Sequence, residues 1–437
     1  MSFPRYPSYK DSGVEWLGAV PEHWGIQPFY AAVIERSESN KGMLEDNLLS
    51  LSYGRIVQKD ISSNDGLLPE SFETYQLVWP GDIVLRLTDL QNDKRSLRSA
   101  LVQEKGIITS AYLAICPRGV NSAFISYLFR AYDITKVFYS MGGGLRQSMK
   151  FADLKRMPVV LPLMTEQTQI AAFLDRETGK IDALVAEQRR LMELLKEKRQ
   201  AVISHAVTKG LNPNAPMKPS GIEWLGDVPA HWKVLRLAYS ATIENGTTPS
   251  KDNSDYWIDG DIPWLSSGEV NQYRITEATS FITAKALEQC SLRLLPKGTI
   301  VIGMIGQGKT RGLSASLEIE ASINQNLAAV IPSKHLVPDY LLYIFQSVYE
   351  YLREFGRGGN QAALNCEILS ALKVPRPPII EQSEICDRLA SRMNEFDTLI
   401  TEAQHAIDLL QERRTALISA AVTGQIDVRH LTAERAA

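Results

Sequence analysis

Residues Gly303 to Thr310 read GMIGQGKT, which matches the G-x-x-x-x-G-K-[ST] loop that holds nucleotide phosphates. In that chemistry a strand precedes the loop, and a helix begins at the Lys so that backbone N–H groups and the helix dipole face the phosphates. The strand-like GTIVI does precede this loop, but RGLSASLEIEAS follows it and is a poor start for a helix. No hydrophobic strand ends in an Asp that would hold magnesium. We therefore predict no nucleotide binding, and a nucleotide-dependent enzyme using Gly303–Thr310 stays as the alternative function.

Other side chains that do chemistry lack the partners that catalysis needs. His23 and His231 each lie between a Pro and a Trp of a repeated motif, which favours a structural role. Asp153-Leu154-Lys155 resembles the end of a nuclease motif, but the corresponding Ile368 and Leu369 bring no acid. We find no nucleophile elbow, H-E-x-x-H, D-P-P-Y or N-P-P-F motif. The sequence predicts a chain that is not an enzyme.

The cysteines do not indicate a metal or a disulfide framework. Cys116, Cys290, Cys366 and Cys386 never form C-x-x-C and lie far from any closely spaced His. We predict buried, reduced thiols and no bound metal.

The elements that surround these residues are duplicated. SGVEWLGAVPEHW (Ser12 to Trp24) returns as SGIEWLGDVPAHW (Ser220 to Trp232), and the segment from Glu166 to Thr208 aligns without a gap with Glu381 to Thr423. A missed repeat misassigns a whole architecture. Between the motif and the helical segment, the two halves share weaker similarities: WPGDIV corresponds to LPKGTIV, and GGGLRQ to GRGGNQ. The most economical interpretation of the four tryptophans is packing of each motif onto a domain or a helix end.

The two EQ segments have the composition of long helices, because they lack Pro and are rich in Ala, Leu, Glu, Gln, Lys and Arg. Their apolar residues recur at coiled-coil-like spacing, and we expect the two helices to pack antiparallel on each other. The residues assigned to that contact are Ile170, Leu174, Ile181, Leu184, Leu191, Leu195 and Val202 in the first helix and Ile385, Leu389, Phe396, Leu399, Ala403, Ala406, Leu410 and Leu417 in the second.

The remaining regions predict an α+β fold. Short β-rich runs such as GDIVLRL, AYLAICP, GTIVIGMI and LAAVIP alternate with turns and with helical stretches. We expect two globular α/β domains separated by the two long antiparallel helices, with an internal pseudo-two-fold repeat.

Composition and charge set outer limits. The chain has 437 residues, of which 44% are hydrophobic and 22% charged, and a formal net charge of −3. DNA binding would therefore require positive charge gathered on one face. We see no secretion signal and no membrane-length apolar run, and expect a cytoplasmic protein.

The repeated motif, the linker AVTKGLNPNAPMKPSGIEWLGDVPAHW and the Pro-flanked EQ helices closely resemble the specificity subunit of type I restriction-modification systems. The resemblance implies an N-terminal arm (1–24), a first target recognition domain (25–160), a central helix (161–210), a linker with the second motif (211–232), a second recognition domain (233–378), a C-terminal helix (379–423) and a tail (424–437). Each recognition domain would read one half of a bipartite double-stranded DNA target, and the unread spacer should follow helix length.

The resemblance also implies partners and cofactors. Two modification (methyltransferase) subunits would bind this chain. Two restriction (translocase/endonuclease) subunits would join them, or the system would only methylate; the sequence leaves both alternatives open. S-adenosylmethionine, ATP and Mg²⁺ would be bound by those partners and not by this chain. A third hypothesis is a coiled-coil scaffold without any DNA function.

Basic and amide side chains in loop-like stretches are the candidates for DNA contact, since they reach phosphates and base edges. Solvated surface charge is the alternative interpretation of each. These candidates are Arg86, Lys94, Arg95, Arg98, Arg146, Gln147 and Lys150 in the first half and Lys309, Arg311, Arg357, Asn360 and Gln361 in the second. Tyr53, Arg55 and Ser267 are further candidates, because LSYGR and LSSGE occupy similar places after the first strand of each half.

Overall fold

The computed structural model describes residues 3–61, 71–88, 90, 97–141, 148–305, 309–354 and 364–431. These residues fall into two compact units, here called unit 1 (1–188 with 404–437) and unit 2 (189–403). Both division points lie inside the long helices, so each unit holds a part of both. Within the described ranges, no helix has the length and apolar character required to cross a membrane.

In the part of unit 1 and the first long helix that the structure describes, there are twelve strands and five α-helices. In chain order they are β1 (Tyr9–Asp11), β2 (Ala19–Pro21), β3 (Gly25–Pro28), α1 (Phe29–Ala32), β4 (Val33–Glu35), β5 (Leu48–Ser52), β6 (Arg55–Lys59), β7 (Gln76–Val78), β8 (Ile83–Leu85), β9 (Ser99–Leu101), β10 (Gly106–Ile108), β11 (Leu113–Pro117), α2 (Ser122–Ile134), α3 (Val137–Met141), α4 (Phe151–Leu154), β12 (Pro158–Leu161) and α5 (Met164–Lys209).

Two four-stranded sheets form the body of unit 1, with strand orders β6-β5-β10-β7 and β4-β11-β8-β9. The runs that become β8 and β11 are almost wholly buried, as expected for central strands covered on both faces. Asn121 starts α2 by accepting a hydrogen bond from the Phe124 N–H at 3.0 Å, which satisfies one donor of the first turn. Phe124 and Phe129 of α2 then enter the core that also contains Leu174 of α5.

Unit 2 and the second long helix repeat this plan with β13 (Met217–Pro219), β14 (Asp227–Pro229), β15 (Lys233–Arg236), β16 (Ala241–Asn245), β17 (Ile262–Leu265), β18 (Arg274–Ile275), β19 (Ser280–Ile282), α6 (Ala284–Gln289), β20 (Ile300–Gly303), β21 (Ser314–Leu317), β22 (Ser322–Ile323), β23 (Leu327–Pro332), α7 (Pro338–Ser347), α8 (Tyr349–Glu354), α9 (Cys366–Ala371), β24 (Lys373–Arg376) and α10 (Ile379–Val422).

The sheets of unit 2 have five strands (β16-β23-β20-β21-β18) and three strands (β19-β17-β22). In both units a two-stranded pair connects the start of the variable region to its end, β3 with β12 and β15 with β24. Pro338 lies in the first turn of α7, where its missing N–H costs nothing. The duplicated α+β plan expected from the sequence is confirmed.

The long helices run antiparallel, as contacts within each unit show. In unit 1, Ile170 and Leu174 near the start of α5 share a core with Leu417 near the end of α10. In unit 2, Val207 near the end of α5 shares a core with Ile385 near the start of α10. The start of one helix therefore lies against the end of the other in both units, and this prediction is also confirmed.

Some residues that the coiled-coil spacing assigns to the contact between the two helices are exposed instead. Leu184, Leu191 and Leu399 are 44–47% exposed, whereas Val185 and Ile407 are buried. An α-helix turns once in 3.6 residues and drifts away from a strict seven-residue repeat by about 20° per heptad. Contact residues therefore move to neighbouring positions toward the middle of each helix, and the assignment of Leu184, Leu191 and Leu399 to the helix contact was wrong.

Candidate nucleic-acid interface

One edge of unit 2 collects the ends of four strands. β16, β17, β20 and β22 end at this edge, and β23 begins there, because Gly303 pairs with Leu327, Asn245 with Ala328 and Leu265 with Ile323. We call it the unit 2 strand-end edge. The described residues that follow these strands form its surface, and they are rich in Ser, Thr, Asn and Gln.

Unit 1 has the same feature at the ends of β4, β5, β8 and β10, where β11 begins, and we call it the unit 1 strand-end edge. Leu85 pairs with Leu113 there, and β10 runs parallel to β5. Both edges consist of connecting segments on a buried sheet, an arrangement that holds exposed side chains on a rigid support.

Three predicted residues lie on the unit 1 strand-end edge. Tyr53 is 84% exposed at the tip of the β5–β6 hairpin, and the Arg130 guanidinium holds this turn by donating to the Gly54 carbonyl at 2.5 Å. Arg86 directly follows β8 and is half-buried. Lys150 is exposed beside them, because the Met149 N–H donates to the Leu87 carbonyl at 2.9 Å.

The prediction that Arg98 contacts DNA is corrected, because the structure places this residue in the interior of unit 1. Its side chain is 0% exposed. The guanidinium donates to the Thr88 carbonyl at 2.8 Å, the Arg86 carbonyl at 3.1 Å and the Tyr139 hydroxyl at 2.9 Å. It therefore holds the segment after β8 from within the domain and is out of reach of a DNA duplex.

Arg55 is exposed but already has a partner. Its Nη2 lies 3.1 Å from Asp182 Oδ2 on α5, and Arg414 of α10 approaches the same carboxylate at 3.3 Å. An exposed ion pair of this kind contributes about 0–1 kcal/mol. Arg55 therefore remains able to exchange this carboxylate for a phosphate.

The second-half candidates that are described lie around the unit 2 strand-end edge. Ser267 is in the turn that follows β17. Lys309 is exposed, and its carbonyl accepts a hydrogen bond from the Tyr349 hydroxyl at 2.7 Å. Arg311 is half-buried, and its Nε and Nη2 make no hydrogen bond with any part of the chain that the structure describes.

Seven candidates lie outside the described residues, and their predicted role is carried forward unchanged. They are Lys94, Arg95, Arg146, Gln147, Arg357, Asn360 and Gln361.

The described residues on both sides of the Gly303–Thr310 segment lead into two strands of one sheet. β20 ends at Gly303, and β21, which begins at Ser314, pairs antiparallel with β20. A phosphate-binding loop needs a helix at this point. The structure therefore gives no support to the nucleotide-dependent alternative.

The repeated Trp motif has a polar role beyond apolar packing. In unit 1 the buried Trp24 Nε1 donates to Glu166 Oε1 at 3.1 Å, and His23 Nε2 lies 2.9 Å from Glu166 Oε2. The Tyr6 hydroxyl also donates to Glu166, at 2.7 Å. Glu166 is in the first turn of α5, where the helix dipole favours a carboxylate. We call this group the unit 1 carboxylate clamp.

Unit 2 contains the matching clamp. Trp232 Nε1 donates to Glu381 Oε1 at 3.0 Å, and His231 Nε2 lies 2.8 Å from Oε2. The structural role predicted for His23 and His231 agrees with these contacts. Sequence reasoning missed Glu166 and Glu381 as their partners, although both begin an aligned EQ segment.

The Gln of each EQ pair connects the helix to the recognition region. Gln167 Oε1 accepts the Asn121 N–H at 2.8 Å, and Gln382 Oε1 accepts the Val337 N–H at 2.8 Å. Asn121 and Val337 stand directly before α2 and α7. The two residues of each pair thus hold the arm and the domain to the same helix turn.

Burial shifts the pKa values of two charged groups beneath the unit 1 strand-end edge. It raises the pKa of Asp133 above its ordinary value, although the Arg98 N–H and the Arg130 charge partly oppose this. Burial also lowers the pKa of Arg130 to about 10. Both groups support the domain from inside.

No metal-binding group is evident in the described ranges, where no three His, Cys, Asp or Glu side chains come together. The four cysteines are free, as expected, but only Cys386 is buried; Cys116, Cys290 and Cys366 are partly exposed, so the prediction of buried thiols was wrong for these three. Burial raises the pKa of Cys386 to about 12, so its thiol stays protonated near neutral pH.

Comparison with known proteins finds similarity to one family. Residues 229–408 match the model of the type I restriction modification DNA specificity domain. The MjaIX specificity subunit of Methanocaldococcus jannaschii, a type I restriction enzyme subunit, is 30% identical over 193 residues, 43% of each chain, so the match spans less than half of that relative. A type I specificity subunit of Escherichia coli is 26% identical over 307 residues, covering 67% of this chain and 69% of that one.

A solved structure extends the likeness of fold to most of the chain. A chain from a structure of a type I R-M system superposes with a TM-score of 0.69 at 16% identity, covering 92% of this chain and 98% of that one.

Proposed function

We propose that the chain is a specificity subunit of a type I restriction-modification system, as its similarity to that family supports, and that it reads a bipartite, asymmetric DNA target, one part with each unit. One observation carries the proposal: both units present the same strand-end edge, but with different exposed side chains. Because the two edges share a backbone arrangement but differ in exposed side chains, we expect the two half-sites to differ in sequence. Since each mismatched base pair costs about 1–3 kcal/mol, a few pairs per unit provide ample discrimination.

Phosphate contacts would position each edge on the duplex. Lys150 in unit 1 and Lys309 in unit 2 are exposed cations beside these edges. Arg311 is half-buried near Lys309 and would add its positive charge to this edge. The chain has a net charge of −3, so binding would depend on this local positive charge and weaken with salt.

Catalysis would belong to partner subunits. In this proposal the chain holds two modification subunits, which methylate adenine with S-adenosylmethionine, and two restriction subunits, which use ATP and Mg²⁺. The chain itself would bind none of these cofactors and would act in the cytoplasm, where the DNA is. The clamps support this division, because their His and carboxylate groups are hydrogen-bonded to each other at helix ends.

Exchange of one variable region tests the proposal. Residues 25–160 are replaced by the corresponding region of another specificity subunit, and the chimera is co-expressed with the modification subunit. We expect methylated-adenine mapping to show one altered half-site and one retained half-site. Exchange of residues 233–378 is the matched control and should alter the other half. An unchanged target in both chimeras would support the scaffold hypothesis instead.

A further inference from the structure

The connection between β22 and β23 forms a rigid turn on the unit 2 strand-end edge. Asn324 Oδ1 accepts the Asn326 N–H at 3.0 Å, and the Leu327 N–H donates to the Asn324 carbonyl at 3.3 Å. The turn is also fixed from both sides, because the Asn324 N–H donates to the Leu265 carbonyl at 3.0 Å and the Met304 N–H to the Asn326 carbonyl at 2.9 Å.

At the tip of this turn, Gln325 is exposed, yet its amide is held in place. The Thr248 hydroxyl donates to Gln325 Oε1 at 2.5 Å. Thr248 belongs to the segment after β16, which is attached to β22 by the Thr247 N–H donating to the Ile323 carbonyl at 3.1 Å. This approach requires Gly246, since a Cβ there would lie 1.7 Å from the Ile323 carbonyl oxygen.

Unit 1 has the same turn with a different exposed residue. Thr109 Oγ1 accepts the Ala111 N–H at 3.3 Å, and the Tyr112 N–H donates to the Thr109 carbonyl at 3.2 Å. Ser110 takes the position of Gln325 and is exposed like it. Ser110 and Gln325 lie the same number of residues before Glu166 and Glu381, the Glu in the first turn of each long helix.

We propose that Gln325, oriented by Thr248, reads the edge of an adenine in the half-site of unit 2, and that Ser110 occupies the matching position toward the half-site of unit 1. The Thr248 hydroxyl occupies one lone pair of Gln325 Oε1. The second lone pair of that oxygen and both N–H groups of Nε2 remain available to a base. An amide in this state pairs in two places with adenine, accepting from N6 and donating to N7 in the major groove. Fixing the amide beforehand lowers the entropy lost on binding.

The assignment rests on the proposed function, and four variants test it in the assembled methyltransferase. With Gln325→Ala, we expect one A·T pair of one half-site to become degenerate in the methylated sequence. Discrimination at that pair should fall by about 5- to 150-fold, which corresponds to 1–3 kcal/mol. Ser110→Ala, the matched control, should leave that half-site unchanged. Thermal unfolding of Gln325→Ala should match wild type, because the side chain is exposed.

Thr248 separates a positioning role from a purely structural one. Thr248→Val removes the hydroxyl and should relax the same A·T pair, whereas Thr248→Ser keeps the hydroxyl and should retain wild-type discrimination. A Gln325→Ala methylome identical to that of wild type, or one relaxed in both half-sites, would overturn this inference and leave the proposed function standing. Methylation without any defined sequence by the wild-type complex would overturn both.

Discussion

Removal of the Glu166 carboxylate should destabilise the protein more than removal of its counterpart Glu381. Two buried donors point at Glu166, the Tyr6 hydroxyl and Trp24 Nε1, and its side chain is only 5% exposed. Glu381 is 23% exposed and faces one buried donor, Trp232 Nε1. The histidine of each clamp is at least 40% exposed. When the carboxylate is removed, water therefore takes its place as the hydrogen-bond partner of the histidine.

The expected magnitudes follow from the donors left unpaired. A buried donor without a partner costs about 1–3 kcal/mol. Glu166→Ala should therefore lower the free energy of unfolding by about 2–6 kcal/mol, and Glu381→Ala by about 1–3 kcal/mol. Glu22→Ala is the control, because it removes an exposed carboxylate of the same motif and should cost less than about 0.5 kcal/mol.

Urea unfolding combined with hydrogen exchange measures these differences unit by unit. Loss of protection should centre on β1 and β2 for Glu166→Ala and on β13 and β14 for Glu381→Ala. A double-mutant cycle sharpens the test: Tyr6→Phe should destabilise the wild type but not the Glu166→Ala protein, in which the hydroxyl already lacks its acceptor. Equal losses for the two Glu variants, or the same Tyr6→Phe effect in both backgrounds, would refute the reasoning.

Three further predictions concern other buried groups. Arg98→Ala should lower the free energy of unfolding by roughly 2–4 kcal/mol in urea titrations, because it leaves buried carbonyls unpaired; a neutral result would contradict the interior role. Burial raises the pKa of Asp133, so the wild type loses stability as pH rises from the ordinary pKa through the raised one. The free energy of unfolding of Asp133→Asn, measured relative to wild type, should therefore increase over that pH interval and stay constant above it. A difference between the two proteins that does not depend on pH would count against this prediction. Gly424 has φ +76°, and a Cβ there would lie 2.3 Å from Pro21 Cδ, whereas Gly13 has φ +67° and open space around it. Gly424→Ala should therefore lower the melting temperature further than Gly13→Ala, and equal shifts would show that only backbone strain matters.

Much of the fold was predictable because the sequence contains an internal repeat, so that each half supports the prediction made for the other. The ungapped alignment from Glu166 and from Glu381 predicted two helices of equal register, and α5 and α10 each begin two residues before these Glu residues and end within one residue of Thr208 and Thr423. The repeated motif likewise predicted a structural use for its Trp and His. Repetition is a strong signal because two copies constrain one architecture.

Burial of individual side chains was not predictable in the same way. Arg98 has the residue type and loop-like context of a DNA contact, but its acceptors are carbonyls and a hydroxyl brought together only by folding. The turns at Ser110 and Gln325 were missed because each is defined by one bond from a side chain to the backbone. Extending the helix alignment upstream would have revealed them, since AICP of β11 and AVIP of β23 fall in the same frame.

The contacts divide the molecule into parts that tolerate change differently. Glu166 and Gln167 bind groups that are buried or belong to the backbone, so substitution there disturbs the arm and the start of α2 together. Gln325 instead projects from a turn whose fixing bonds come from the backbone and from Asn324. A new side chain at position 325 or 110 therefore leaves the turn intact, and the base that is read can change without altering how the unit is assembled.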